Sequence, residues 1–427
     1  MSAAVAPLRH LGRLRLVSLG LNSVIGGGIF ILPATVAGLI GPASLFAYLV
    51  AGGVVLGIGL ALGRLAARFE TSGGPYVYVQ RTFGPFAGFQ AGWLFCLARL
   101  TALANLLNGA ALYLGALLPG LARPAARAAL IVGFAAVIIA INAFGIRQTS
   151  GAADILAVVK IAPLILIGLA GLFLIQAERF APSAVAPEAF LRSVLLLIFA
   201  FTGFEILTVP AEESLRPRSD MPFALLLTIG IVCGLYLVIH AAVLGGLPAL
   251  ASEKAPLASL SGLLLGESGR IGMTAVAAVS MVGCSLLSLF GATRLLYAMS
   301  GAGQIPPFIG ALDERRRTPV VASLLTGGLG AGLAILGGYA FLAAVSSGSR
   351  LLIYLACCLA CLAPAAVERA PRGRAVPVVT AVAIFVLLLT LERREVVFGM
   401  IGVGAGMGLY LIARAGRRGS MTRREAV

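Results

Sequence analysis

From Arg15 to Arg64 no Asp, Glu, Lys or Arg interrupts the chain. A membrane-spanning helix needs roughly 20 apolar residues, so this stretch predicts two spans, with the Gly41-Pro42 step as the turn between them. The same pattern of long apolar runs punctuated by Gly, Pro and charged clusters continues toward the C-terminus. It predicts twelve helices, near 14–40, 44–68, 84–117, 124–144, 152–176, 191–212, 222–246, 270–300, 318–338, 344–363, 375–391 and 395–414. The expected fold is therefore an all-α, polytopic membrane protein with a single transmembrane domain over 1–414 and a basic tail over 415–427. No soluble segment is long enough to fold separately, so the sequence offers no nucleotide-hydrolysing engine.

Composition agrees with lipid as the solvent: 60% of the 427 residues are hydrophobic, 11% are charged, and mean hydropathy is +1.03, too apolar for an ordinary globular surface. The first apolar run is long, broken by glycines and continuous with further spans, which reads as a span and not as a cleaved leader. All six cysteines fall in apolar runs and read as small hydrophobes, and the Cys358-Leu-Ala-Cys361 spacing lacks a second pair to make a metal or redox site. With two histidines, His10 and His240, and no acidic cluster, no metal or other cofactor is expected. The net charge of +16 could suggest a nucleic-acid partner. The basic residues instead concentrate on alternate connections, as expected for a cell-membrane protein with both termini in the cytoplasm. Arg99, Lys160 and Arg294 are read as lying within helices, and the remaining Lys and Arg as lying on inner or outer segments.

Two predicted helices are interrupted. The first breaks at Gly26-Gly27-Gly28 and the sixth at Thr202-Gly203-Phe204-Glu205, with Pro33 and Pro210 following. They head two five-helix halves, about 14–176 and 191–363, and an odd number of crossings makes the second half enter from the opposite side. Paired breaks of this kind point to a binding site at the membrane midplane of an inverted-repeat transporter. The last two helices, 375–414, lie outside the repeat and are candidates for lipid contact or a homodimer.

Backbone groups freed at a break are tolerated in a membrane only where protein, water or ligand satisfies them. Glycines at 26 to 28 allow close approach, and the half-helix beginning there offers N–H donors and a partial positive charge to a carboxylate. Carbonyls closing the preceding half suit an ammonium, so an α-amino acid meets both ends. The bland alternative is close helix packing, which is the reading given to the Gly53-xxx-Gly57 and Gly59-xxx-Gly63 spacings.

Several stretches resemble the amino acid, polyamine and organocation permeases, of the bacterial amino acid permease type. They are Val24-Ile-Gly-Gly-Gly-Ile-Phe30, Ser72-Gly-Gly-Pro-Tyr-Val-Tyr78 with Phe83-Gly-Pro-Phe86, Phe199-Ala-Phe-Thr-Gly-Phe-Glu205 with Glu212-Glu213 and Pro217, and Arg294-Leu-Leu-Tyr-Ala-Met299 with Thr318-Pro319. The resemblance implies a LeuT-type 5+5 inverted repeat plus two helices, and a substrate site around Val24, Ile25, Gly26, Gly27, Gly28, Phe199, Thr202, Gly203 and Glu205. Within it, the N–H groups of Gly27 and Gly28 would take the carboxylate, and the carbonyls of Val24, Phe199 and Thr202 the ammonium. Gly27 stands where many relatives have Ser, which removes a hydroxyl and keeps the backbone donors. Phe30, Phe201 and Phe204 become candidate gates.

Charges inside a membrane are functional hypotheses by default. Glu205 sits at the second break; Arg99, in the third helix, is expected to pair with it or to read a substrate side chain, and it argues against arginine as substrate because like charges repel. Arg294 is expected to snorkel or to hold an inner gate. Lys160, in Ala157-Val-Val-Lys-Ile-Ala-Pro163, must be desolvated or find carbonyls. The resemblance implies that it reaches the broken first helix and couples transport to protons. The expected function is a secondary active transporter of amino acids with membrane lipid and protons as its other partners, and no enzyme. The alternatives are an amino acid or polyamine exchanger, a channel, or a membrane sensor.

Overall fold

Among the described residues seven α-helices open on a proline, at Pro75, Pro85, Pro124, Pro187, Pro217, Pro256 and Pro307. The first helical position suits proline because its missing N–H would have no intrahelical partner and its φ is already helical. These prolines therefore set where the chain turns back into a helix after each connection.

The structure is a computed structural model that describes residues 12–69, 73–144, 150–208, 214–314, 316–363 and 374–425. Arg9, His10, Ser72, Arg147, Pro210, Glu212, Glu213, Arg315, Arg369 and Arg372 lie outside the described residues. In chain order the helices are α1 (Arg13–Val24), α2 (Gly28–Ile40), α3 (Ser44–Phe69), α4 (Pro75–Phe83), α5 (Pro85–Leu117), α6 (Pro124–Ala143), α7 (Ser150–Gly171) and α8 (Pro187–Phe201). They continue as α9 (Pro217–Gly246), α10 (Pro256–Gly301), α11 (Pro307–Gly310), α12 (Val320–Leu336), α13 (Tyr339–Leu362), α14 (Ala375–Leu388) and α15 (Arg393–Glu425).

Seven helical stretches among the described residues are long and apolar enough to cross a membrane, with shorter apolar helices at Val158–Leu174, Val320–Leu336 and Ala375–Leu388. The chain is a polytopic all-α membrane protein. Each predicted span holds helix, and the differences have local causes. The predicted span at 270–300 is preceded by an extra helical segment from Pro256, which turns at Gly266 with φ 66°, a left-handed conformation that costs glycine little. The last helix continues past 414 to Glu425, where the basic tail was expected.

The core is made by the long helices: α5 packs along α10 and α13, and α3 along α9. Helices at the periphery turn large apolar side chains outward, including Val132, Val137, Leu166, Met400 and Ile401. In water such a surface would aggregate; in a bilayer it is the ordinary outer face. Between helices, small residues permit close approach. A Cβ at Gly57 would lie 2.2 Å from the Thr380 hydroxyl, one at Gly59 2.6 Å from Ile229, and one at Gly63 3.2 Å from Pro222, whereas Gly53 faces open space. Packing thus explains three of those four glycines and not Gly53.

Gly57→Leu should force α3 away from α14 and lower stability by about 1–3 kcal/mol, the usual range for overpacking. Gly53→Leu should leave the melting midpoint of the detergent-solubilised protein unchanged. Equal midpoints for the two variants would contradict the packing described.

Candidate functional site

The two interrupted helices meet at their breaks. Residues 25–27 are non-helical between α1 and α2, and α8 ends at Phe201, followed by the Thr202-Gly203 turn and a short 3-10 segment, Phe204–Thr208. The contact is reciprocal. A Cβ on Gly28 would lie 2.4 Å from the Ala200 Cα, and one on Gly203 would lie 2.5 Å from the Ser23 carbonyl. Gly203 also has φ +116°, so both space and conformation demand glycine there. Gly28 is therefore a packing position against the α8 backbone, which a substituent at that position would push away. Gly26 and Gly27 face the interior more loosely, toward Cys284, Leu106 and Tyr339. The backbone N–H groups of Gly26, Gly27 and Gly28 find no acceptor among the described residues.

The carbonyls exposed by the first break are largely taken up by side chains from other helices. Tyr236 of α9 donates its hydroxyl to the Ala200 carbonyl at 3.1 Å and to that of Val24 at 3.4 Å. Ser280 of α10 donates to Ile25 O at 3.2 Å, with the Cys284 thiol 3.5 Å from the same oxygen. Beyond the break, Tyr113 donates to Phe30 O at 2.6 Å. At the second break the Phe199 carbonyl accepts from Thr202 N at 3.2 Å and Thr202 Oγ1 at 2.8 Å. Two of the three carbonyls expected to hold an ammonium, those of Val24 and Phe199, thus already accept protein hydrogen bonds. Cys284, read as a small hydrophobe, is a polar contact at the break, and Tyr236 and Ser280 were not singled out at all. Most buried hydroxyls in apolar helices have a hydrogen-bond partner, and that is the signal which marks them.

Between the breaks lies a cavity of about 50 Å³, lined by Ser23, Val24, Gly26 to Gly28, Phe199, Thr202, Gly203, Glu205 and Cys284, with Arg99 and Arg350 on its wall. At roughly 10–15 Å³ per water, it is sized for a very small ligand or for the core of one. Glu205 is buried, accepts the Gly203 N–H at 2.8 Å, and pairs with Arg350 at 3.2 Å. The expected Arg99–Glu205 pair is corrected here: the partner is Arg350 of α13. Arg350 also bonds Ser346 and the Ala98 carbonyl, and at 4% exposure it belongs with the intramembrane charges, not with the outer segments. It lies inside the helix predicted at 344–363, and counting charges within those bounds would have found it. Arg99 instead lays its guanidinium over the Phe95 ring, 4.7 Å from the centroid.

The candidate gates Phe30, Phe201 and Phe204 do not line this cavity. They are buried against Tyr113, Tyr236 and Tyr354, with ring centroids 5.8, 5.3 and 5.7 Å apart. Lys160 is fully buried and reaches the end of α1, with Nζ 3.0 Å from Asn22 Oδ1, 3.4 Å from the Asn22 carbonyl and 3.4 Å from Cys284 Sγ. Arg294 is exposed, over the Phe290 ring, as a snorkelling side chain would be. At the end of the bundle away from Arg13 a vestibule of about 760 Å³ opens among α5, α6, α10 and α13, and Tyr339 is part of its lining. The Tyr339 hydroxyl is buried without a partner among the described residues and lies 3.1 Å from where a Cβ on Gly27 would be.

Residues 11–406 match the family described as amino acid permease. The chain belongs to the amino acid permease family. Relatives of this permease include an uncharacterized transporter of Mycobacterium tuberculosis, 29% identical over 95% of this chain and 91% of the relative. A branched-chain amino acid permease of Bacillus subtilis is 27% identical over 76% of this chain and 74% of its own. A methylthioribose transporter of the same organism is 25% identical over the same shares.

Two sets of variants of this permease test the geometry. Glu205→Gln or Arg350→Met alone should destabilise by about 3–5 kcal/mol, and the double variant should recover much of the loss, since removing one partner leaves a buried charge uncompensated. Thermal melts in a double-mutant cycle check this, and Arg99→Met combined with Glu205→Gln should show much weaker coupling. Gly28→Ala should be destabilising and Gly26→Ala nearly silent, because the new methyl meets the Ala200 backbone in the first case and ordinary contacts in the second.

Proposed function

We propose that this permease is a secondary active transporter of amino acids, coupled to protons and working by alternating access in the cell membrane with both termini in the cytoplasm. The observation that carries the reading is the pair of breaks meeting at one cavity. There the N–H donors of Gly26, Gly27 and Gly28 lack acceptors among the described residues while most freed carbonyls are satisfied. Such a site prefers a carboxylate to a cation at its first helix. In this reading Gly27 and Gly28 hold the α-carboxylate, and Thr202, whose hydroxyl is already bonded to Phe199 O, leaves its own carbonyl for the ammonium. The match to a branched-chain amino acid permease supports the substrate class.

The domain reading follows: two inverted repeats over 14–176 and 191–363, each headed by a broken helix, then two helices at 375–414 and a cytoplasmic basic tail. The reciprocal contacts Gly28 on Ala200 and Gly203 on Ser23 suit such a pair of repeats. The vestibule then opens outward, and Tyr339, edge-on to Phe199 at 6.3 Å, closes the path from it. Phe30, Phe201 and Phe204 act as gates through the tyrosines they pack on. The outward apolar face of α15 suits lipid or a second copy of the chain.

Lys160 supplies the coupling. Its Nζ holds the Asn22 carbonyl and side chain and ties α7 to the first break, and the coupling acts through this contact. In proteoliposomes, uptake should saturate and concentrate substrate on an imposed proton gradient. Lys160→Ala should lose that response and its pH dependence while still binding substrate in a thermal-shift assay. Sodium-driven uptake by the unmodified protein, or proton-driven accumulation by Lys160→Ala, would contradict this coupling. Linear, non-saturating flux would point to a channel.

A further inference from the structure

The cavity wall carries two guanidinium groups and one carboxylate, and the carboxylate is committed to Arg350. Arg99 is therefore a buried cation, 9% exposed, with no ion-pair or hydrogen-bond partner among the described residues. Its place is built for it. The guanidinium lies over the Phe95 ring at 4.7 Å, with its Nη1 against the bare Gly291 backbone, where an added Cβ would make the guanidinium shift. Beside it the Gly26 to Gly28 N–H groups add partial positive charge, and Lys160 adds a full charge when protonated, touching Cys284 of the same wall. A zwitterion with a neutral side chain leaves the cavity's excess positive charge unmatched in a low-dielectric site. An extra carboxylate matches it with a bidentate, charge-assisted contact of the kind guanidinium favours. A cationic side chain is repelled by both arginines.

Resting on the reading of the site as one for an α-amino acid, the geometry points to a dicarboxylic amino acid, of the aspartate or glutamate type, as the preferred substrate, with the Arg99 guanidinium binding its side-chain carboxylate. Glu205 is bonded to Arg350 and the Gly203 N–H and attracts Arg99 only through space, so one carboxylate stands against two guanidinium groups. This assignment differs from the substrate named for the branched-chain relative.

The test uses the purified full-length protein in detergent, with ligand-induced thermal shifts for L-glutamate, L-aspartate and their uncharged isosteres L-glutamine and L-asparagine. The acids should reach half-maximal stabilisation at concentrations about tenfold or more below the amides, as one added charge-assisted contact provides. Arg99→Gln should remove that preference while retaining binding of the amides, and Arg99→Lys should restore part of it. Should Arg99→Gln fail to fold, Gly291→Ala, which displaces the guanidinium without deleting it, should weaken the preference in the same direction. Amides binding as tightly as acids in the unmodified protein, or Arg99→Gln keeping the preference, would overturn the assignment and leave the amino acid site standing. Succinate binding as well as glutamate would overturn the amino acid reading and leave the carboxylate contact standing. No shift with any of these ligands would overturn both.

Discussion

Inside a bilayer a backbone carbonyl or N–H has no water to fall back on, and leaving one bare costs several kcal/mol. This permease interrupts two of its helices in the middle of the bundle, and the arrangement of the surrounding helices follows from answering that cost. Tyr236 serves both breaks at once, bridging Val24 O and Ala200 O. Ser280 and Cys284 arrive from α10, and Lys160 from α7. Three helices are thereby pinned to two interruptions, and the groups left over, chiefly N–H donors, define what can bind.

Much of this was legible in the chain itself. Apolar runs bounded by charge, and prolines at helix starts, carry their meaning locally, so the helices fell where hydropathy placed them. The breaks were legible because three consecutive glycines and a Thr-Gly turn have few other uses in an apolar helix. The partners were harder to read. Glu205 and Arg350 are 145 residues apart, and nothing in either neighbourhood announces the other. Gly28, expected at the ligand, lines the cavity and also packs on the Ala200 backbone, a second contact that depends on how two helices cross and not on the sequence around either. The partners of the three phenylalanines were equally hidden: an aromatic residue beside a break can face a pathway or face the tyrosines behind it, and hydrophobicity does not distinguish the two.

The electrostatics of the site are asymmetric. Burying a charge in a low-dielectric interior is costly unless a partner is fixed nearby. Here one carboxylate meets one guanidinium at 3.2 Å and a second guanidinium is left to an aromatic face. A ring quadrupole is a weaker partner than a carboxylate, so this arrangement keeps a cation available at the expense of stability. Functional sites commonly carry such a local violation of otherwise consistent packing.

The bare backbone of Gly291 opposite Arg99 ties the identities of two residues that are far apart in the chain. Any side chain at 291 meets the Arg99 Nη1, so the position enlarges only if the guanidinium moves aside or 99 shortens. Among descendants of a common ancestor, the pair would be expected to change together, glycine with arginine and a larger residue with a smaller, neutral one. A change of specificity in this lineage would then have a preferred order, through an intermediate with both positions small. Such an intermediate has an enlarged, uncharged pocket and would accept a wider range of substrates than either endpoint.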